Sequence, residues 1–291
     1  MKRILVAGAT GYLGKYILKE LEQWEFPTTA LVRSPEKLNS MELETIDIIK
    51  AEVTNPEALS GVCKGVDVVI STVGITRQQD GLTYMDVDFQ ANLNLLREAQ
   101  LAGVEKFIYI SVLNGQHLRH LRMVEAKEQF VDELRASGMN YTVIRPNGFF
   151  SDMGDLLSMA ESGKIYLFGD GEFKLNPIHG ADLAEVCVQA IARNESEIEV
   201  GGPDILTHNE IAEMAMCAWN KPSKIIHLPT IFRILAIKAV RFFTSQKTYG
   251  PLEFFLTLMG RDSIATRHGS HRLQDFFNQE VQQIKQQSNQ K

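Results

Sequence analysis

Three glycines at three-residue intervals, Gly8, Gly11 and Gly14, close an apolar run beginning at Arg3 and open a stretch of helical periodicity; the segment reads Val6-Ala7-Gly8-Ala9-Thr10-Gly11-Tyr12-Leu13-Gly14. A strand that turns through glycine into a helix offers an anion its backbone N–H groups and the positive end of a helix dipole. In that setting Gly8 serves the tight turn, Gly11 leaves room for a pyrophosphate against the backbone, and Gly14 lets helix and strand pack closely. The chemistry expected of this turn, with Thr10, Tyr12 and Leu13 as its other contributors, is dinucleotide binding. The plainer alternative is a strand-turn-helix whose glycines serve packing alone.

The end of the next strand discriminates between dinucleotides. An acidic residue there accepts hydrogen bonds from a ribose and favours NAD. The sequence instead reads Ala30-Leu31-Val32-Arg33-Ser34-Pro35. A guanidinium at Arg33 stacks on adenine or pairs with a 2′-phosphate, and Ser34 adds a hydroxyl, so the expected cofactor is NADP(H). A solvated surface arginine is the competing account. Two further strand ends belong near such a cofactor: Glu52-Val53, at the adenine edge, and Ser71-Thr72-Val73-Gly74, beside the sugars. Small side chains at Thr72, Val73 and Gly74 permit close approach, although a simple strand-end turn accounts for Gly74 equally well.

Positioning these residues takes a particular arrangement of elements. Hydrophobic patterning predicts strands at 3–7, 28–32, 45–53, 66–71, 106–111 and 141–144. Helices are predicted at 12–24, 56–62 and 124–136, with a long one ending near Ala102. Strands alternating with helices specify a parallel sheet covered on both faces, whose right-handed crossovers gather the strand C-termini along one ligand-binding edge. Beyond Gly148 the pattern loosens into strands at 165–168, 173–177 and 197–200 and helices at 181–193, 208–219, 230–243, 252–259 and 273–287, with Thr207 a cap for the second of these helices. The expected fold is α/β: a Rossmann-type doubly wound parallel sheet over 1–150, and a smaller, mainly helical substrate lobe over 151–291, interleaved with the sheet.

The 291 residues are 44% apolar and 23% charged, ordinary for a globular chain. Thirty basic against thirty-six acidic side chains give 30 − 36 = −6, which supplies no global attraction to nucleic acid. Cys63, Cys187 and Cys217 are odd in number and form no CxxC, which excludes a disulfide framework, argues against a cysteine zinc site and fits a reducing cytosol. No histidine–carboxylate cluster has metal-ligand spacing. The start of the chain is too briefly apolar for a signal peptide. The nearest approach to a membrane span, 225–243, is interrupted by His227, Pro229, Arg233, Lys238 and Arg241. A cytoplasmic location is expected.

On the glycine turn, Leu31-Val-Arg33, Asp67-Val-Val-Ile70, Asn92-Leu-Asn-Leu-Leu96, Phe107-Ile-Tyr-Ile-Ser111, Tyr141-Thr-Val-Ile-Arg-Pro146 and Pro177-Ile-His-Gly-Ala-Asp182, the chain resembles the atypical branch of the short-chain dehydrogenase/reductase superfamily. That branch includes the NmrA-like and isoflavone-reductase-like proteins, and the resemblance covers roughly 1–193. The region from Gly250 to Phe255 is similar to divinyl-chlorophyllide-reductase-like members, which is no evidence of photosynthesis. The family's catalytic pattern is a tyrosine followed four residues later by a lysine; here Lys127 is kept and Met123 replaces the tyrosine. A thioether cannot transfer a proton. The resemblance implies Lys127 as a contact to the nicotinamide ribose and, if burial lowers its pKa, as the general acid; otherwise it is a solvated lysine in a polar run. It also implies Ser111 as a hydroxyl near the nicotinamide, or merely a strand cap, and Pro146 and Asn147 as contacts to the carboxamide. Asn114, Gln116, His117 and His120 line either a substrate or a surface loop. Phe149 and Phe150 are either substrate walls or core.

The segment 230–243, from Thr230 through Ile231 to Phe243, is apolar nearly all round yet carries Arg233, Lys238 and Arg241. Such a helix can cap a substrate cleft, pack against a second copy of the chain, contact another protein, or lie in a membrane interface. The leading functional expectation is an NADP(H)-dependent reductase that transfers hydride to a small or medium apolar acceptor such as a quinone or enone. The alternative is a non-catalytic NADP(H)-binding redox sensor acting through a protein partner.

Overall fold

In the computed structural model, which describes residues 1–75, 81–243 and 246–289, the apolar run before the glycines is strand β1 (Ile4–Ala7) and the helix they open is α1 (Tyr12–Gln23). There follow β2 (Thr28–Val32), β3 (Ile46–Lys50) and β4 (Val68–Ser71). A π-helical segment (Met85–Ala91) runs into α2 (Asn92–Ala102), and β5 (Lys106–Ile110), α3 (Arg122–Ala136) and β6 (Asn140–Pro146) come next. The later elements are α4 (Gly154–Glu161), β7 (Ile165–Phe168), β8 (Lys174–Leu175), α5 (Gly180–Gln189) and β9 (Glu197–Val200). After these come β10 (Leu206–Thr207), α6 (His208–Ala218), β11 (Ile225–Leu228), α7 (Thr230–Phe243), α8 (Gln246–Leu258) and α9 (Leu273–Asn289). The chain divides into two compact units, Met1–Arg145 with Leu183–Glu199, and Pro146–Asp182 with Val200–Lys291.

The first unit is built on a seven-stranded sheet ordered β3-β2-β1-β4-β5-β6-β9. Pairing is parallel from β3 through β6; Ile4, for example, aligns with Thr28 on one side and Val68 on the other. The order therefore reverses at β1 and β4, so the turns after these two strands lie side by side at the edge where open α/β sheets bind ligands. Continuously buried strands such as Val68–Ser71 suit a sheet covered on both faces. Leu13, Ile17, Leu18 and Leu21 give α1 one buried stripe. On the face covered by α2 and α3, the Phe130 ring packs 4.6 Å from that of Tyr109 and 5.8 Å from that of Phe107.

Two helices in this unit are shorter than their sequence patterns suggest. The helix predicted at 56–62 is a single 3-10 turn, Glu57–Leu59, because Gly61 takes a left-handed φ of 79°. The one predicted at 181–193 ends at Gln189, where the buried ammonium of Lys106 donates to the carbonyls of Ala190, at 2.7 Å, and Arg193. A cation on orphan carbonyls terminates a helix as well as a glycine does.

The second unit has its own core, in which Phe150, Leu157, Ile211, Ala215, Phe277 and Val281 of α4, α6, α9 and the chain before α4 meet. β7 pairs in parallel with β11, and β8 antiparallel with β10. Thr207 caps α6 as expected, accepting from Glu210 N–H at 3.1 Å while Glu210 accepts from Thr207 N–H at 2.7 Å. The apolar stretch 225–243 is not one element. Pro229 splits it into β11, a strand not predicted because its partner β7 lies some sixty residues away (225 − 165 = 60), and α7. Among the described residues no helix is long and apolar enough to cross a membrane.

Candidate functional site

The glycine turn shows which glycines the fold itself requires. Gly8 has φ 79°, and a Cβ there would stand 2.5 Å from Thr72 Oγ1 and 3.0 Å from the Thr72 carbonyl carbon. Gly14 faces the turn so closely that a Cβ would stand 2.3 Å from the Gly8 carbonyl oxygen. Both are demanded by the crossing of β1, α1 and the end of β4. Gly11 is different: its φ of −73° suits any residue, and a Cβ would meet only the Gly8 carbonyl oxygen, at 3.2 Å. It is exposed and stands as the N-cap of α1, with no side chain to cap the helix and no acidic residue in the first turn. The first turn of α1 thus carries no acidic side chain, and a ligand anion at its positive end suits a glycine whose backbone angle any residue could adopt. These features fit a dinucleotide's diphosphate.

Thr72 completes the seat. Its hydroxyl lies 3.1 Å from the Ala7 carbonyl and 3.2 Å from that of Gly8, and its N–H donates to Ala7 at 3.0 Å, so the two turns are stitched together. Arg33, at the end of β2, is more than half exposed, with Nη1 3.7 Å from Glu52 Oε2. An exposed pair at that distance is worth little. Ser34 is half-buried beside it.

Below Gly74 lies an arrangement the sequence reading missed. A Cβ at Gly74 would meet Asp88 Oδ1 at 2.6 Å and Lys127 Nζ at 2.8 Å; these two groups are themselves 2.9 Å apart. Asp88 comes from the π-helical segment, is fully buried, and accepts from Ile75 N–H at 3.2 Å. Asn92, one turn on, receives the Ser71 hydroxyl at 2.5 Å and donates to the carbonyls of Val73 at 3.1 Å and Asp88 at 3.0 Å. The extra residue of a π-helical turn rotates Asp88 and Asn92 together under the end of β4. Their spacing of four, two polar residues on the inward face of a helix, is the signal that could have found them.

This pairing overturns the expectation that burial tunes Lys127 downward. Burial pulls the ammonium's pKa down and lifts that of the Asp88 carboxyl, but the carboxylate 2.9 Å away outweighs burial at Lys127 and holds it above its ordinary 10.5. Lys127 is therefore a fixed cation with a 13% exposed side chain at the foot of Gly74. Burial also lifts the Tyr109 phenol above its ordinary range, so it stays neutral.

Ser111 is committed elsewhere. Its hydroxyl is buried and donates to Glu128 Oε1 at 2.7 Å. The same carboxylate takes two bonds from Arg145, at 2.7 and 3.0 Å, and Arg145 Nε donates to Glu197 at 2.9 Å. Gly115 covers this cluster so tightly that a Cβ would stand 2.3 Å from Glu128 Oε1. Met123 is buried, while Gln116, His117 and His120 are exposed. In the second unit, Asn147 is nearly fully buried, and its amide donates to Asn176 at 2.8 Å and to the Ser263 carbonyl at 2.5 Å. Pro146 ends β6 just before it, and Phe150 belongs to the core. Among the described residues no group of three or more His, Cys, Asp or Glu side chains is placed to hold a metal.

A family model described as NAD(P)H-binding matches residues 8–194, and the chain belongs to that family. Among curated relatives it is 27% identical over 192 residues to the photosystem II assembly factor Ycf39 of Guillardia theta, covering 66% of this chain and 61% of that one. It is 28% identical over 247 residues to the chloroplastic divinyl chlorophyllide a 8-vinyl-reductase of Zea mays, covering 78% and 61%. The chain thus spans about three fifths of the length of these relatives. Among solved structures, the NADPH-dependent quinone oxidoreductase QOR2 of Escherichia coli, complexed with NADPH, superposes with a TM-score of 0.70 at 19% identity, over 97% of this chain and 99% of that one. The Rossmann-type fold and the family resemblance read from the motifs are borne out.

Proposed function

We propose that this protein is an NADP(H)-dependent reductase that passes a hydride to a small or medium apolar acceptor carrying a conjugated carbonyl, a quinone or an enone. The observation carrying the cofactor half is Gly11, a glycine at an uncapped helix N-terminus with no conformational reason to be one. Gly8, Gly11 and Gly14 would seat the pyrophosphate, with backbone N–H groups from the Thr10 to Leu13 turn donating to it. Arg33 and Ser34 would take the 2′-phosphate and so favour NADP(H) over NAD(H). Thr72, Val73 and Gly74 would border the sugars. Lys127, held by Asp88, would donate to the nicotinamide ribose.

When bound, reduced nicotinamide supplies a hydride, two electrons with one hydrogen. The accompanying proton decides the acceptor class. Lys127 is held protonated above the ordinary lysine range, Ser111 already donates to Glu128, and Met123 has no proton to give. Ser111 accordingly acts as a positioning residue, tying the end of β5 to α3. An isolated ketone needs a nearby acid as hydride arrives. A quinone or enone delocalises the incoming charge and takes its proton from water. NADPH oxidation followed by stopped-flow across quinones, enones and simple ketones tests this. Turnover confined to conjugated acceptors is expected; tight NADPH binding with no turnover of any acceptor contradicts it.

A second reading rests on the same committed side chains: a redox sensor that binds NADP(H) without turnover and presents a different surface to a protein partner. Pull-downs with NADP⁺ and with NADPH separate the two, since a sensor must capture different partners in the two states.

A further inference from the structure

The charge of the chain is unevenly placed. Between Glu213 and Glu253 there is no acidic residue, while Lys221, Lys224, Arg233, Lys238, Arg241 and Lys247 fall in that interval. The remainder holds 30 − 6 = 24 basic against all 36 acidic side chains. In the middle of the basic stretch lies α7, whose Ile231, Phe232, Ile234 and Leu235 are 54, 52, 41 and 50% exposed. Ile231, Ile234, Leu235 and Lys238 follow the i, i+3, i+4, i+7 spacing of one helix face, and Lys238 is exposed at its end. The other side of the helix is anchored: Arg233 is half-buried, donates to the Leu256 carbonyl at 2.9 Å and lies over Gly260, so its charge turns inward while the apolar row turns outward. A hydrophobic row of this kind on an ordered helix marks a docking surface.

We propose that α7 docks in the headgroup region of an anionic lipid bilayer. Fourteen residues make a helix of roughly 21 Å, too short to cross a hydrocarbon core of about 30 Å but suited to lie in its plane. Isoleucine, leucine and phenylalanine enter the acyl boundary without needing directional partners, while the exposed Lys224 and Lys238 are drawn to negative headgroups. A second copy of the chain is disfavoured as occupant, because symmetric pairing of this face brings two basic stretches together. The proposal is independent of the reductase reading.

Co-sedimentation of the full chain with phosphatidylglycerol-containing vesicles, against pure phosphatidylcholine vesicles, tests it. The protein is expected to sediment with the anionic vesicles only, and several-fold less in high salt. The Ile231→Glu/Leu235→Glu variant should lose sedimentation, and Lys238→Glu should weaken it several-fold, both with unchanged NADPH affinity. Three results overturn the proposal: no sedimentation with anionic vesicles, sedimentation of the double variant equal to the parent, or a dimer in ultracentrifugation that the double variant dissolves. Should that variant misfold, Phe232→Trp with brominated anionic lipid decides: quenching supports the docking, and unquenched fluorescence contradicts it.

Discussion

Lys127 and Glu128 are neighbours on α3, both charged and both largely withdrawn from water, yet they belong to different kinds of ion pair. Lys127 meets Asp88 under the end of β4, its side chain still 13% exposed and lying against Gly74. Glu128 meets Arg145 with exposures of 2 and 0%, takes the Ser111 hydroxyl as well, and lies under Gly115. Every strong donor and acceptor of the second cluster is satisfied internally, so it has nothing to offer a ligand. The first keeps a fixed positive charge at the one edge of the sheet where the strand order reverses. Buried charge alone does not mark a site; buried charge with an open side does.

The sealed cluster should give the largest effect when broken. Glu128→Ala leaves Arg145 buried without its main partner and should cost about 3–5 kcal/mol of stability by denaturant titration. NADPH affinity of the folded fraction should not change; if affinity falls while stability holds, the roles of the two pairs are reversed. Gly11→Ala should behave in the opposite way. Its Cβ asks the Gly8 carbonyl oxygen, 3.2 Å away, to give by a few tenths of an ångström, so stability should move by only about 1 kcal/mol, whereas NADPH affinity should fall by about 100-fold, near 2.7 kcal/mol. An unaltered Kd would assign Gly11 to packing.

Arg33→Ala should weaken NADPH about 10–100-fold, the range of a charge-assisted hydrogen bond at about 1.5–3 kcal/mol, and leave NADH unchanged. Glu52→Gln should strengthen NADPH a few-fold, since Glu52 now competes for the guanidinium. Equal losses for both cofactors with Arg33→Ala would remove it as the 2′-phosphate contact. The smallest effect is one of pH. Because Lys127 is held above 10.5, its charge is fully present at neutral pH and is lost only as pH rises through that raised value. NADPH affinity should therefore show no basic limb from Lys127 between about pH 7 and 10, the upper bound being set by the ordinary lysine value. A limb near pH 8 that disappears in Lys127→Met would show the lysine tuned downward after all.

Much of this was legible in the sequence because it is local. The strand at Thr28–Val32 and the Thr207 cap follow from adjacent residues, and the glycine turn carries its geometry in its spacing. What stayed hidden depends on partners far along the chain. Asp88 gains its meaning from Lys127, thirty-nine positions on (127 − 88 = 39), and β11 exists only because β7 accepts it as a neighbour. The motif leaves Ser111 either a hydroxyl near the nicotinamide or a strand cap; only the folded arrangement reveals Glu128 as its acceptor. The carboxylate that pairs with Lys127 sits on a π-helical turn, which sequence periodicity does not reveal.

In the proposed complex a diphosphate would sit at residues 8–14 and a 2′-phosphate on Arg33. Titration calorimetry of the folded protein with NADPH, NADP⁺ and NADH tests this most directly. Binding of both phosphorylated forms, at least about tenfold tighter than NADH, is the predicted result. Absence of heat with all three, from protein whose circular dichroism shows it folded, would contradict the account.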